Sequence, residues 1–150
     1  MKISFVEVII FVVSALCSIQ AQDVFIKKQK HDTTKKIHLE SFSDLPDEID
    51  GCSCYFSISQ EDLESERYIF VNDFAALAFV KIEGKLIRFE LQNHDEKRNI
   101  YYYIHNDDTM KVEIIKKITN KDEAVVIQGL ITISTVKGCI KQKFTGECGC

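Results

Sequence analysis

Two Cys-x-Cys pairs, Cys52–Cys54 and Cys148–Cys150, bracket most of this 150-residue chain. Residues two apart on a strand point to the same face. Each pair therefore presents two sulfurs side by side. If the two segments pair antiparallel, Cys52 faces Cys150 and Cys54 faces Cys148 in the same ladder class. A loop of about 95 residues closed this way corresponds to roughly 4 kcal/mol for the first crosslink in a chain-entropy account, with less from the second. Four thiolates at Cys52, Cys54, Cys148 and Cys150 are also a ligand set for Zn²⁺ or Cu(I), and either pair is a possible redox dithiol. The choice between these readings depends on the compartment.

The chain opens with Met1-Lys2, an apolar run from Val8 to Leu16, and Cys17-Ser18-Ile19-Gln20-Ala21. One positive charge, a short apolar core and a small residue at Ala21 have the form of a cleavable signal peptide, residues 1–21. The core is shorter than the roughly 20 residues that a membrane-spanning helix requires. Lipidation at Cys17 is the alternative, although Leu16 stands where such a signal normally carries a small residue. The expected location is therefore secreted or periplasmic, with no transmembrane span in the mature chain. An oxidising compartment favours disulfides over metal, so the expected bridges are Cys52–Cys150 and Cys54–Cys148, with no cofactor. Cys139 is left unpaired, as a small buried apolar residue of the last strand, a point of pairing with another chain, or a thiol that shuffles with the terminal pair.

The net charge is −4, and removing Lys2 and Glu7 with the signal leaves it unchanged. Nothing in that balance favours a nucleic-acid partner. Residues 22–51 form an N-terminal arm, partly extended or disordered. Lys27, Lys28, Lys30, Lys35 and Lys36 make its first half basic, and Asp44, Asp47, Glu48 and Asp50 make its second half acidic. A strand is expected within it at 36–42. Residues 52–150 form the stapled domain.

From Cys52 onward the hydrophobic period is two. Ala78, Val80 and Ile82, then Ile87, Phe89 and Leu91, alternate with more polar neighbours, the pattern of half-buried strands. Glu83-Gly84-Lys85 between them is a tight hairpin turn, with Gly84 supplying a positive φ. Further strands are expected at 53–59, 67–72, 99–105, 110–117, 124–135 and 139–145. Turns fall at Asn106-Asp107-Asp108, Asn120-Lys121-Asp122 and Val136-Lys137-Gly138. Only Gln60–Glu66 is helical in character, capped by Ser59. Gly129, inside the longest apolar run, marks a bulge or bend. Strands joined by short turns without intervening helices specify an all-β fold. The expected architecture is one antiparallel meander of about eight strands, closed as a small barrel or sandwich, with at most one short helix.

The chain carries no catalytic motif: no nucleophile elbow, no zinc-protease helix and no phosphate-binding glycine loop. His94 and His105 flank neighbouring turns of one hairpin, near Asp95, Glu96, Asp107 and Asp108; a surface metal site is one reading of this cluster and solvated hairpin ends are the plainer one. Tyr101-Tyr102-Tyr103 places two rings on one face and one on the other. These rings serve core packing or form an aromatic grip on sugar or peptide. Tyr55 is expected to pack against the first cysteine pair.

Asp50-Gly51-Cys52-Ser53-Cys54-Tyr55-Phe56-Ser57 resembles a group of small secreted bacterial proteins. The likeness continues at Tyr68–Phe74, at Lys81-Ile82-Glu83-Gly84-Lys85 and at Gly146-Glu147-Cys148-Gly149-Cys150. It implies this architecture and no activity. The hairpin Ala78 to Leu91 is also similar to one in periplasmic inhibitors of c-type lysozyme, small β-barrels with a strand–Asp-Gly-Lys–strand hairpin. Glu83 stands at the aspartate position, and the Ser-Gly-x-x-Tyr loop of those inhibitors has no counterpart. The expected function is a non-catalytic β-domain that binds a protein, peptide or glycan. A thiolate metal-binding protein and an inhibitor of a hydrolase such as lysozyme are the alternatives.

Overall fold

A computed structural model describes residues 37–73, 76–119 and 125–149. The expected signal segment, the basic half of the arm, the turn expected at 120–122 and Cys150 lie outside the described residues. Among the described residues, nine strands and one short helix follow in chain order: β1 (Leu39–Glu40), β2 (Ser53–Ser57), α1 (Gln60–Glu64), β3 (Phe70–Asn72), β4 (Leu77–Ile82), β5 (Lys85–Asp95), β6 (Ile100–His105), β7 (Asp108–Thr119), β8 (Val125–Thr135) and β9 (Gly138–Gly149).

From β2 to β9 every strand pairs antiparallel with the next, and β9 returns to β2. The meander is thus closed as a barrel of eight strands rather than folded as a sandwich. Closure removes the unpaired edges that an open sheet would present. The ninth strand, β1, is an addition. Pairing of β3 with β4 stops at Phe70 opposite Val80, and β1 takes over with Glu40 opposite Lys81 and Leu39 opposite Ile82.

The turn joining β4 to β5 follows the twist rule for two-residue loops. Glu83 and Gly84 both have positive φ, 50° and 75°, the requirement of the turn whose twist matches the flanking strands. Gly84 was the expected residue; Glu83 adopts the left-handed region as well. The helix is short because its signals are local. The Ser59 hydroxyl accepts from the Asp62 amide at 3.2 Å and donates to the Asp62 carboxylate. That bond, reinforced by the Arg67 guanidinium, holds the Asp62 carboxyl below its ordinary range.

Alternation sorts the side chains into an interior and an exterior. Phe56, Phe70, Phe89, Met110, Ile131, Ile133 and Phe144 fill the barrel. Phe56 and Phe70 stack at a centroid distance of 4.8 Å, and Phe144 meets Phe56 edge-on at 4.9 Å, geometries that aromatic quadrupoles favour. A second, smaller core lies outside the barrel wall, where Phe42 and Ile49 pack with Val71 and Phe79. The second half of the arm therefore belongs to the packed domain, which reaches back at least to Ile37.

Gly129 is where two surfaces approach most closely. A Cβ there would overlap the Glu113 carbonyl oxygen and the Phe144 ring. The irregularity expected at this glycine falls on the partner strand instead: the β7–β8 register shifts between Ile114 and Lys116.

Candidate functional site

The barrel has two unlike ends. At one lie the turns joining β4 to β5, β6 to β7 and β8 to β9. A cavity of about 190 Å³ is lined there by Ile37, Ile82, Ile87 and Val136, and two of its four charged lining residues, Lys137 and Glu83, pair with each other. The Glu83 carboxylate at the hairpin tip thus turns back onto its own barrel.

The other end holds the cysteines. Cys54 stands directly opposite Cys148 in the β2–β9 register, and a disulfide joins them across a Cα–Cα distance of 4.0 Å. That spacing belongs to a non-hydrogen-bonded antiparallel pair, so the expected Cys54–Cys148 bridge is present. Cys52 is disulfide-bonded too; Cys150 lies outside the described residues, and the expected Cys52–Cys150 bridge with it. Sulfurs bonded to each other are not two thiolate ligands, so Cys54 and Cys148 do not serve the metal alternative in this state. Among the described residues, no group of three or more His, Cys, Asp or Glu side chains is placed to hold a metal ion. Cys139 is free and exposed, not the buried residue expected. It immediately follows Gly138 at the start of β9, where alternation turns its side chain away from the interior that Ile140 enters.

Beneath the disulfide the barrel opens into a cavity of about 130 Å³. Its floor is apolar, built from Phe56, Val112, Ile114 and Ile127, and its polar lining is Asn72, Tyr101, Tyr103 and Lys117. A bulge on β7 places part of this lining, and a second on β5 sets which residues stand opposite its tyrosines. On β7 the extra residue Ile115 is extruded, 71% exposed, so that Ile114 opposes Gly129 and Lys117 opposes Ile127. Strict alternation from Ile114 would have brought Lys116 inward; one inserted residue exchanges it for Lys117. On β5 the register shifts between Leu91 and Asn93, so Leu91 opposes Tyr103 and His94 opposes Tyr101.

The environment of each polar group follows from these positions. Tyr103 is only 4% exposed. Burial, then the nearby Tyr101 phenol, pushes its own phenol well above the ordinary value, and a hydrogen bond with the Asn72 side chain partly opposes this. The Tyr101 ring stacks on the His94 imidazole at 3.9 Å and 11°. His94 Nε2 is buried and has no hydrogen-bond partner among the described residues. Lys117 makes no ion pair among them. The nearby Asp73 carboxylate is engaged locally, one oxygen accepting from the Ala76 and Leu77 amides at 3.0 and 2.8 Å.

His94 and His105 do not meet. His94 pairs with Tyr101 near one end of the hairpin, whereas His105 lies opposite Asp108 and contacts the Arg88 carbonyl oxygen through Nδ1 at 2.8 Å. Tyr101 and Tyr103 do share the inner face, as their spacing required. Tyr55 turns away from the cysteine pair and packs on Tyr68 outside the wall, centroids 5.1 Å apart, because odd and even residues of β2 face opposite ways. Lys117 and His94 were not singled out together with the tyrosines by sequence reasoning. Lys117, exposed at the cavity rim, and His94, stacked on Tyr101, are placed by bulges, and nothing in the local composition announces an extra residue.

Comparison of the chain with protein-family models, with curated proteins and with solved structures finds no match.

Proposed function

We infer that this protein is a non-catalytic binding module of the cell envelope or exterior, whose binding element is the barrel mouth under the Cys54–Cys148 disulfide. One observation carries the reading: a concave apolar cavity converges on a few polar groups, one of them an ammonium with no charge partner among the described residues. That combination is the usual form of a ligand site. Eight-stranded barrels have an interior wide enough either to be filled by side chains or to hold one small ligand. Here the filling is complete at the centre and incomplete at this end. An export signal and a disulfide framework are consistent with an oxidising location. The bound partner is a protein, peptide or glycan that inserts one small group into the mouth.

The test is a peptide and glycan array probed with labelled protein, run in parallel with a Tyr101→Ala/Lys117→Met double variant. Array signals that the double variant loses support the reading. Signals that it retains undiminished would place binding elsewhere on the surface and sink the reading.

A further inference from the structure

The chemistry of the mouth narrows what the inserted group can be. Among the described residues, Lys117 is the single charged side chain lining the cavity, and no carboxylate lines it. The two phenols beside it, Tyr101 and Tyr103, are hydrogen-bond donors. Below them lie a branched aliphatic wall and the edge of Phe56. A cation and two hydroxyls above an apolar floor match an anion carried directly on a small apolar body. Charge-assisted bonds from ammonium and phenol to a carboxylate are stronger than neutral ones. The volume limits the body: a cavity of about 150 Å³ lined by aliphatic and aromatic groups holds one benzene ring, and this one is about 130 Å³. A polyanion such as a phosphate would find one cation only and no helix N-terminus or arginine fork among the lining residues.

We propose that the mouth binds a carboxylate borne on an apolar group of up to one ring, with Lys117 pairing with the carboxylate, Tyr101 and Tyr103 donating to it, and Val112, Ile114 and Ile127 packing against the body. The proposal rests on the binding role of the mouth set out above and specifies its ligand. Two sources present this chemistry: a free small carboxylic acid, and the C-terminal carboxylate of a peptide ending in an apolar residue. Lys116 supplies an internal control. It is the adjacent lysine on the same strand, and it opposes Gln128 on the outer face.

Titration by heteronuclear NMR of the full disulfide-bonded protein decides the matter. Benzoate, at concentrations up to about 10 mM, shifts the resonances of Tyr101, Tyr103 and Lys117, while the neutral isostere benzamide binds at least about tenfold more weakly. Lys117→Met weakens benzoate binding by a similar factor and leaves benzamide unchanged; Lys116→Met changes neither. A short peptide ending in phenylalanine, compared with its C-terminal amide, distinguishes the sources: discrimination as strong as for benzoate identifies a peptide terminus, and binding of benzoate alone identifies a free acid. Equal binding of benzoate and benzamide overturns the carboxylate assignment while leaving the mouth a binding site. No response at the mouth to any of these probes also overturns it, even where an array partner is still captured. Equal losses in Lys116→Met and Lys117→Met would show that only general charge is at work, with the same result.

Discussion

Tyr103 carries the clearest residue-level consequence of the barrel's architecture. Its phenol is buried against the core, so the neutral form is strongly preferred in the folded state and its folded value lies above the ordinary 10.0. A raised value in the folded state means stability that is complete below about pH 10 and falls as pH rises above the unfolded value, because the unfolded chain releases the proton first. Alkaline unfolding is therefore expected to begin above about pH 10, and Tyr103→Phe should move its midpoint upward. Following tyrosinate absorbance alongside circular dichroism checks this: in the parent protein the last phenol ionises together with loss of structure. Ionisation of all five tyrosines before any unfolding would contradict it. Gly129 makes an opposite kind of demand, for absence of volume. A methyl group there has no free space between the Glu113 carbonyl and Phe144. Gly129→Ala is expected to cost about 1–3 kcal/mol, the range for overpacking in a filled core, whereas Gly84→Ala meets no atom and costs only its positive-φ preference. Urea midpoints of the two variants separate the effects.

At the scale of elements, the arm adds a second layer that the barrel alone would leave exposed. Phe42 pairs with Tyr68 through a two-way backbone bridge of 2.8 and 2.9 Å and covers Val71 and Phe79 from outside. Phe42→Ala is expected to destabilise the domain by about 3 kcal/mol, toward the lower end for buried phenylalanine because the site lies at the wall. A change below about 0.5 kcal/mol in denaturant titration would mean that the arm contributes little. Sequence reasoning found the eight barrel strands, the helix with its Ser59 cap and the hairpin turns, since each depends on signals within a few residues: alternation, a capping hydroxyl, a glycine in a turn. Of the arm it found the strand, expected at 36–42 and present as Leu39–Glu40; the packing of Phe42 and Ile49 on the outer wall resisted it, because two isolated apolar contacts produce no periodicity. The site resisted it for a related reason. Alternation put Tyr101 and Tyr103 on one face without saying which, and Lys117 and His94 are placed by a bulge on β7 and another on β5. A bulge is a tertiary choice, made where the opposing strand presents Gly129 or a twisted pair, and the bulged strand's own residues do not encode it.

At the scale of the whole molecule, the barrel is a meander whose first and last strands must find each other across almost its entire length. Five paired positions join β2 to β9, against eleven between β8 and β9, so this seam is much shorter than the ladder beside it. It is also the one formed between the most distant segments, 94 residues apart at the disulfide. Closure entropy makes such a contact the least favourable to form without a covalent link. The Cys54–Cys148 bond removes that penalty from the unfolded chain, by up to about 4.5 kcal/mol in the chain-entropy account; a second bridge nearby lowers what the first contributes alone. Thus Cys54→Ser/Cys148→Ser is expected to fold with reduced stability, while complete reduction opens the barrel at this seam before elsewhere. Native-state hydrogen exchange reads the difference directly. After reduction, amides of Ser53–Ser57 and of Thr145–Gly149 should lose protection first, with those of β7 and β8 retaining theirs, as expected when one cooperative unit opens below the global limit. Uniform loss across all strands would instead make the seam an integral part of one cooperative core. The mouth lies beneath the same bond, so opening the seam removes one wall of the cavity, and ligand binding should fail at the reductant concentration that releases these amides rather than at the one that unfolds the protein.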